Sequence, residues 1–270
     1  MPAERRPRSI PDLALWKREG KKLAMLTCYD ALFARLLEAS GVDLMLVGDS
    51  LHQVLGGHET TLGATLEAMI YHAAAVRRGA RETLVFMDLP FLTYQVSIAE
   101  AVRNAGRAMQ EANVHGVKLE GGRHIAPTIQ ALTEVGIPVM AHLGLTPQSV
   151  HQLGGYKVQG RDAGSAERLL ADAAAVEEAG ACALVLELVP SKLAQQVTAA
   201  IDIPTIGIGA GPHCDGQVLV LHDMLGLNEG FDPKFLKKYG ALAGAAKEAV
   251  RQYVDEVRGG AFPDAGHSFE

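Results

Sequence analysis

The chain has 270 residues, 48% hydrophobic and 21% charged, and its 25 Lys and Arg against 31 Asp and Glu give a net charge of −6; a disordered chain is excluded, and 5% aromatics without a basic run argue against a nucleic-acid partner. No apolar stretch approaches the roughly 18 residues of a membrane span, and no apolar segment of signal-peptide length follows the N-terminal arginines. Cys28, Cys182 and Cys214 are odd in number and lack CxxC spacing, so they read as reduced thiols of a cytoplasmic protein.

A helix is expected near residues 10–19, where it could close the bottom of a barrel. Eight short aliphatic or β-branched runs follow, at 23–28, 43–47, 83–88, 116–119, 138–142, 183–188, 204–208 and 217–221. Their near-continuous apolar interiors suit parallel strands covered on both faces. Between the second and third runs, Leu66, Met69, Ile70 and Ala73 recur at helical spacing, and after the third Ile98, Ala101, Val102 and Ala105 repeat it. Ser97 and Glu100 fit a capping box. Gly41, Gly79, Gly136 and Gly180 stand where left-handed helix ends are wanted. The stretch from 142 to 163 is rich in Gly, Pro and Gln and reads as a long loop, of the kind that is often functional. Between 208 and 217 there is no room for a full helix, so the seventh unit is abbreviated. This alternation matches an α/β fold of the (β/α)8 barrel type better than an open sheet. The whole chain, 1–270, is expected to form one barrel domain with an N-terminal capping helix and C-terminal helices.

Barrel enzymes keep their chemistry at the C-terminal ends of the strands, and polar residues gather there. Asp49 and Ser50 follow the second run, Asp88 ends the third, Lys118 and Glu120 belong to the fourth, His142 ends the fifth and Glu187 lies in the sixth. Asp49, Asp88 and Glu120 come from consecutive strands about 4.8 Å apart, so their oxygens could converge on one cation. Carboxylates without a thiolate favour Mg²⁺ or a similar hard ion. Alternatively, each Asp caps the following helix. Lys118 and Glu120 are two apart and face the same way in a strand, which lets Lys118 hold a substrate carboxylate beside the metal. Glu187 has apolar neighbours on every side; a buried carboxylate suits a general base working near neutral pH, and a structural ion pair is the alternative. His142 could donate to a bound carbonyl or carboxylate, or be a satisfied structural histidine. The glycines of 206–211 are either an anion site after the seventh strand or close backbone packing.

Several longer strings are similar to those of one family. They are Val47-Gly48-Asp49-Ser50-Leu51, Tyr71-His72 with Val76-Arg77-Arg78-Gly79, Val117-Lys118-Leu119-Glu120-Gly121-Gly122, and His142-Leu143-Gly144-Leu145-Thr146-Pro147-Gln148-Ser149. Gly154-Gly155-Tyr156-Lys157-Val158-Gln159-Gly160-Arg161, the glycine run and Asp215-Gly216-Gln217-Val218-Leu219-Val220 continue the match. The chain resembles the ketopantoate hydroxymethyltransferases from about Leu23 to Phe269. The resemblance implies a barrel of the phosphoenolpyruvate/pyruvate superfamily that moves a hydroxymethyl group from 5,10-methylenetetrahydrofolate to 3-methyl-2-oxobutanoate, giving ketopantoate and tetrahydrofolate on the route to pantothenate. It also implies Mg²⁺, held by Asp49, Asp88 and Glu120, and a cytoplasmic homodecamer. By the same likeness, Asp49, Ser50, Asp88, Lys118 and His142 contact the keto acid. Glu187 is then the base that forms the enolate, which the metal stabilises and which attacks the folate carbon. The chain departs from the commonest family pattern at His52, where a small residue is usual, at Glu59, where Asp is usual, and at Gly63, where Pro is usual. A lyase or phosphonopyruvate mutase-like reaction would use the same metal-bound keto acid. A binding or assembly barrel without activity is the other alternative, against which every expected metal and base position keeps a competent side chain.

Overall fold

A strand with helices on one face and barrel interior on the other has no wet side, so it must be apolar throughout. The eight apolar runs form strands of this kind. The computed structural model describes residues 8–269. In chain order the elements are α1 (Ile10–Arg18), β1 (Leu23–Thr27), α2 (Ala31–Ala39), β2 (Leu44–Val47), α3 (Leu51–Val54), α4 (Leu66–Gly79), β3 (Leu84–Asp88), α5 (Ile98–Ala112), β4 (Gly116–Glu120), α6 (Ala126–Glu134), β5 (Val139–Gly144), α7 (Val150–Leu153), α8 (Ala163–Glu178), β6 (Ala183–Glu187), α9 (Ser191–Ala200), β7 (Thr205–Ile208), β8 (Gly216–Leu219), α10 (Leu221–Met224) and α11 (Leu242–Gly259). Each strand pairs with the next in parallel and β8 pairs back with β1, closing the barrel. As expected, no helix separates β7 from β8.

Local signals account for most boundaries. Ser97 accepts a hydrogen bond from the Glu100 N–H at α5, and Asp30, Thr65 and Asp162 do the same for α2, α4 and α8. Gly41, Gly136 and Gly180 take the left-handed conformation that ends a helix. Gly79 does not. It is the last residue of α4, and a Cβ there would stand 2.4 Å from Ala31 O, so it allows α4 to lie against α2. The long stretch after β5 is also less irregular than expected: a 3₁₀ turn, Pro147–Ser149, runs into the single turn of α7.

Leu13 of α1 joins a buried cluster with Leu23, Met25, Leu44, Leu46, Leu84, Phe86, Met140, Ala183, Val185, Ile206 and Val218. The helix lies against the N-terminal ends of the strands. Lys17 Nζ donates to Ile203 O just before β7 and meets Asp215 just before β8 at 3.1 Å. The contacts divide the chain at Val220 into two compact units. In the second, the Phe262 ring lies 5.7 Å from Tyr253 and 5.5 Å from His267. Cys28, Cys182 and Cys214 are free thiols, and no helix among the described residues is long and apolar enough to cross a membrane.

Candidate active site

Alternate residues of a strand share a face, so the core layer dictates what stands above it. Phe86, Met140 and Val185 belong to the buried cluster; two residues further on, Asp88, His142 and Glu187 rise on the same face. On β4 this face carries Gly116, Lys118 and Glu120. A Cβ at Gly116 would lie 2.6 Å from Phe86 Cε1, so the ring occupies the place where β4 has no side chain. The pairing sets Asp88 beside Lys118, Glu120 beside His142 and Gly144 beside Glu187.

These side chains form a continuous ionic chain across four strands. Lys118 Nζ lies 2.7 Å from Asp88 Oδ1 and 3.8 Å from Glu120 Oε1. His142 Nδ1 is 3.3 Å from Glu120 Oε1 and its Nε2 is 3.3 Å from Glu187 Oε2, charge contacts without hydrogen-bond alignment, while Nδ1 lies at hydrogen-bond distance, 3.3 Å, from Lys118 Nζ. Asp88, Lys118, Glu120 and His142 are all buried. Glu187 keeps 17% of its side chain exposed, so the full burial suggested by its apolar neighbours in sequence is not observed. Burial alone would lower Lys118, but Asp88, Glu120 and Asp49 outweigh it and hold the ammonium protonated. Burial and the Lys118 charge likewise oppose a charged His142, yet Glu120 and Glu187 raise it to about 9. Glu120 is raised by burial and brought below its usual range chiefly by His142. Asp49 goes up, from burial first and then from the charges of Asp88 and Glu120.

Asp49 stands just past β2 and its backbone N–H donates to Asp88 Oδ2 at 3.0 Å. Ser50 Oγ lies 2.9 Å from the Tyr29 hydroxyl. At the end of β5, a Cβ on Gly144 would lie 2.2 Å from Glu187 O. Glycine there lets Leu145 N–H reach that carbonyl at 2.8 Å.

Gln148, Tyr94 and Tyr156 were not among the expected site residues. Gln148 and Tyr94 are buried and hydrogen-bond around Glu120 and Asp49. Tyr156 accepts from Gln53 Nε2 at 3.1 Å, and Gln159 N–H donates to Leu188 O, tying the long loop to α3 and to the end of β6. The family departures at 52 and 63 are a single feature. The His52 ring stacks on His58 at 3.8 Å, Nδ1 lies 2.8 Å from Thr60 O, and a Cβ at Gly63 would lie 2.6 Å from His52 Cε1. A larger residue at 52 thus occupies the space that glycine leaves at 63. Nothing in the structure explains Glu59. The glycine run packs tightly: a Cβ at Gly211 would lie 2.3 Å from Ser191 Oγ.

Among the described residues no three His, Cys, Asp or Glu side chains form a ready-made metal cage. Mg²⁺, however, is commonly held by one or two carboxylates, with substrate and water oxygens completing an octahedron. Asp49 and Asp88 supply such a pair. Asp88 Oδ1 is buried with Lys118 at 2.7 Å but without a well-aligned hydrogen bond, so it keeps a lone pair to offer. Glu120 is already engaged by Gln148, His142 and Lys118. This donor set fits Mg²⁺, with Glu120 adding charge from the next strand.

The sequence profile of the ketopantoate hydroxymethyltransferases matches residues 7–265. A relative from Pelobacter propionicus, named 3-methyl-2-oxobutanoate hydroxymethyltransferase, is 54% identical over 261 residues, 97% of this chain and 97% of its own length. A relative of the same name from Trichlorobacter lovleyi is 56% identical, covering 97% and 98%. Among solved structures, phosphonopyruvate hydrolase in complex with oxalate and Mg²⁺ superposes with a TM-score of 0.62 at 13% identity, over 96% of this chain and 93% of that one. The 2,3-dimethylmalate lyase, described as a PEP mutase/isocitrate lyase superfamily member, gives 0.61 at 18% identity, over 96% and 91%. At those identities the likeness is one of fold.

Proposed function

The chain belongs to the ketopantoate hydroxymethyltransferase family, and from that premise we propose that it converts 3-methyl-2-oxobutanoate and 5,10-methylenetetrahydrofolate to ketopantoate and tetrahydrofolate, in pantothenate biosynthesis. The observation that carries the reading is the ionic chain from buried Asp88 through Lys118, Glu120 and His142 to the partly exposed Glu187. It offers the Lys118 ammonium for an anionic keto acid and, at the Glu187 end, a carboxylate base.

Asp49 and Asp88, with Glu120, would hold Mg²⁺, which when bound supplies Lewis-acid stabilisation of negative charge on a keto acid. Lys118 offsets charge on the substrate oxygens, in a site where burial strengthens every such interaction. Ser50 and His142 orient the keto acid. Glu187 takes the proton from C3; the electron pair left on C3 forms the bond to the folate methylene carbon, both C–N bonds of that carbon break, water supplies the hydroxyl, and the C3 proton and the second proton of water end on the two folate nitrogens. Family membership also supports a cytoplasmic homodecamer, which sedimentation of the purified protein would check.

An assay with the keto acid, the folate donor and Mg²⁺ should show folate-dependent ketopantoate formation that chelation abolishes; turnover without the folate would point to a lyase or mutase reaction instead. Glu187→Gln should stop exchange of the C3 proton of 3-methyl-2-oxobutanoate with deuterated water. Exchange at the wild-type rate would remove Glu187 from its role.

A further inference from the structure

One residue, Gln148, joins the ends of three neighbouring strands. Gln148 Nε2 donates to Asp49 Oδ2 at 3.0 Å and to the carbonyl of Leu89, the residue after Asp88, at 2.9 Å. Its backbone N–H donates to Glu120 Oε2 at 2.9 Å. Its Oε1 lies 2.8 Å from the Tyr94 hydroxyl and accepts from Gln95 Nε2 at 3.2 Å. A primary amide has two N–H donors and two acceptor lone pairs, and all four are used. The flipped amide would set its oxygen against a carboxylate and a carbonyl, so charge as well as shape selects this orientation. Tyr94 is fixed in turn. Its hydroxyl accepts from Glu120 N–H at 3.1 Å and shares one proton between Glu120 O and Gln148 Oε1.

Asp49 is crowded by Asp88 and Glu120, and a carboxylate among like charges turns away unless something holds it. A lysine in that place would neutralise Asp49 and compete with a cation for it. An amide holds the group and leaves its charge unspent. We infer that Gln148 is a positioning residue for the metal site: it anchors Asp49 through Oδ2, leaves Oδ1 for the divalent cation, and is itself locked by Tyr94. The inference deepens the proposed function and rests on its reading that Asp49 holds a divalent cation.

Mn²⁺ is a spectroscopically visible probe for that cation, and its binding constant can be read by electron paramagnetic resonance without turnover. Gln148→Met keeps the length of the side chain and removes its donors; it should weaken Mn²⁺ binding by about 10–100-fold, the cost usual for losing an outer partner of a metal ligand. Tyr94→Phe should weaken it in the same direction by less. Asp49→Ala should abolish it. If Asp49→Ala binds Mn²⁺ like wild type, the cation reading fails and the inference with it. If Asp49→Ala loses Mn²⁺ while Gln148→Met keeps the wild-type constant, positioning is overturned and the cation reading stands. A Gln148→Met protein whose melting temperature falls while its Mn²⁺ constant holds has lost only structure, which also overturns the inference. Should Gln148→Met not fold, Tyr94→Phe decides, and an unchanged Mn²⁺ constant there counts against it.

Discussion

Taking an ammonium out of water costs several kcal/mol, recovered only when its partners are close and well placed. Lys118 is only 4% exposed and has carboxylates at 2.7 and 3.8 Å, so its charge is held by the same residues that are proposed to serve the cation. A different residue-level coupling governs the loop after β2. The His52 imidazole fills the place that a side chain at Gly63 would occupy, and it is held there by His58 and Thr60. Gly63→Ala alone should destabilise the protein by about 1 kcal/mol, because the ring must leave its stack. In a His52→Ala background the same change should cost nothing, or stabilise slightly by restricting the unfolded chain. Urea denaturation of the four proteins gives the cycle, and strictly additive costs would show the two positions to be independent.

Elements tie the strands together in places remote from the mouth. His115, on the turn into β4, accepts from Val85 N–H of β3 at Nδ1 (3.0 Å) and donates its own N–H to Val85 O. Burial and then the charge of Arg77 lower its pKa from 6.5 to about 4. Between those values the unfolded chain takes up a proton that the folded one refuses, so His115 contributes stability above pH 6.5 that is lost progressively as pH falls towards 4. His115→Asn, which keeps an acceptor near Nδ1 without the titration, should flatten the stability–pH curve over that interval; parallel curves would contradict it. The strands were legible in sequence because burial on both faces leaves an unbroken apolar run, and the ionic face of β3 to β6 was legible because Asp88, His142 and Glu187 stand at the C-terminal ends of their runs and spacing by two puts Lys118 on the face of Glu120. Gln148 was not. It is 99 residues from Asp49 and 28 from Glu120, and a glutamine in a polar loop carries no local mark of burial. Gly79 misled for a related reason: a glycine that ends a helix and one that admits a neighbouring helix look alike until the neighbour is placed.

For the barrel as a whole, bottom and mouth are separated by a packed apolar layer. Leu13 enters that layer from α1 and is 1% exposed. Leu13→Ala should leave a cavity costing about 2–5 kcal/mol, measurable by denaturation, while the Mn²⁺ and keto-acid affinities of the folded protein stay at wild-type values; a matching loss of affinity would mean that the layer transmits strain to the mouth. The alternation along β4 has one more consequence. If that strand slipped by a single residue against its neighbours, Lys118 and Glu120 would turn towards the outer helices while Val117 and Leu119 entered the mouth, and Phe86 would meet a side chain where Gly116 now leaves none. A misaligned barrel would be both inactive and badly packed, so clearing away misfolded copies would also clear away idle ones.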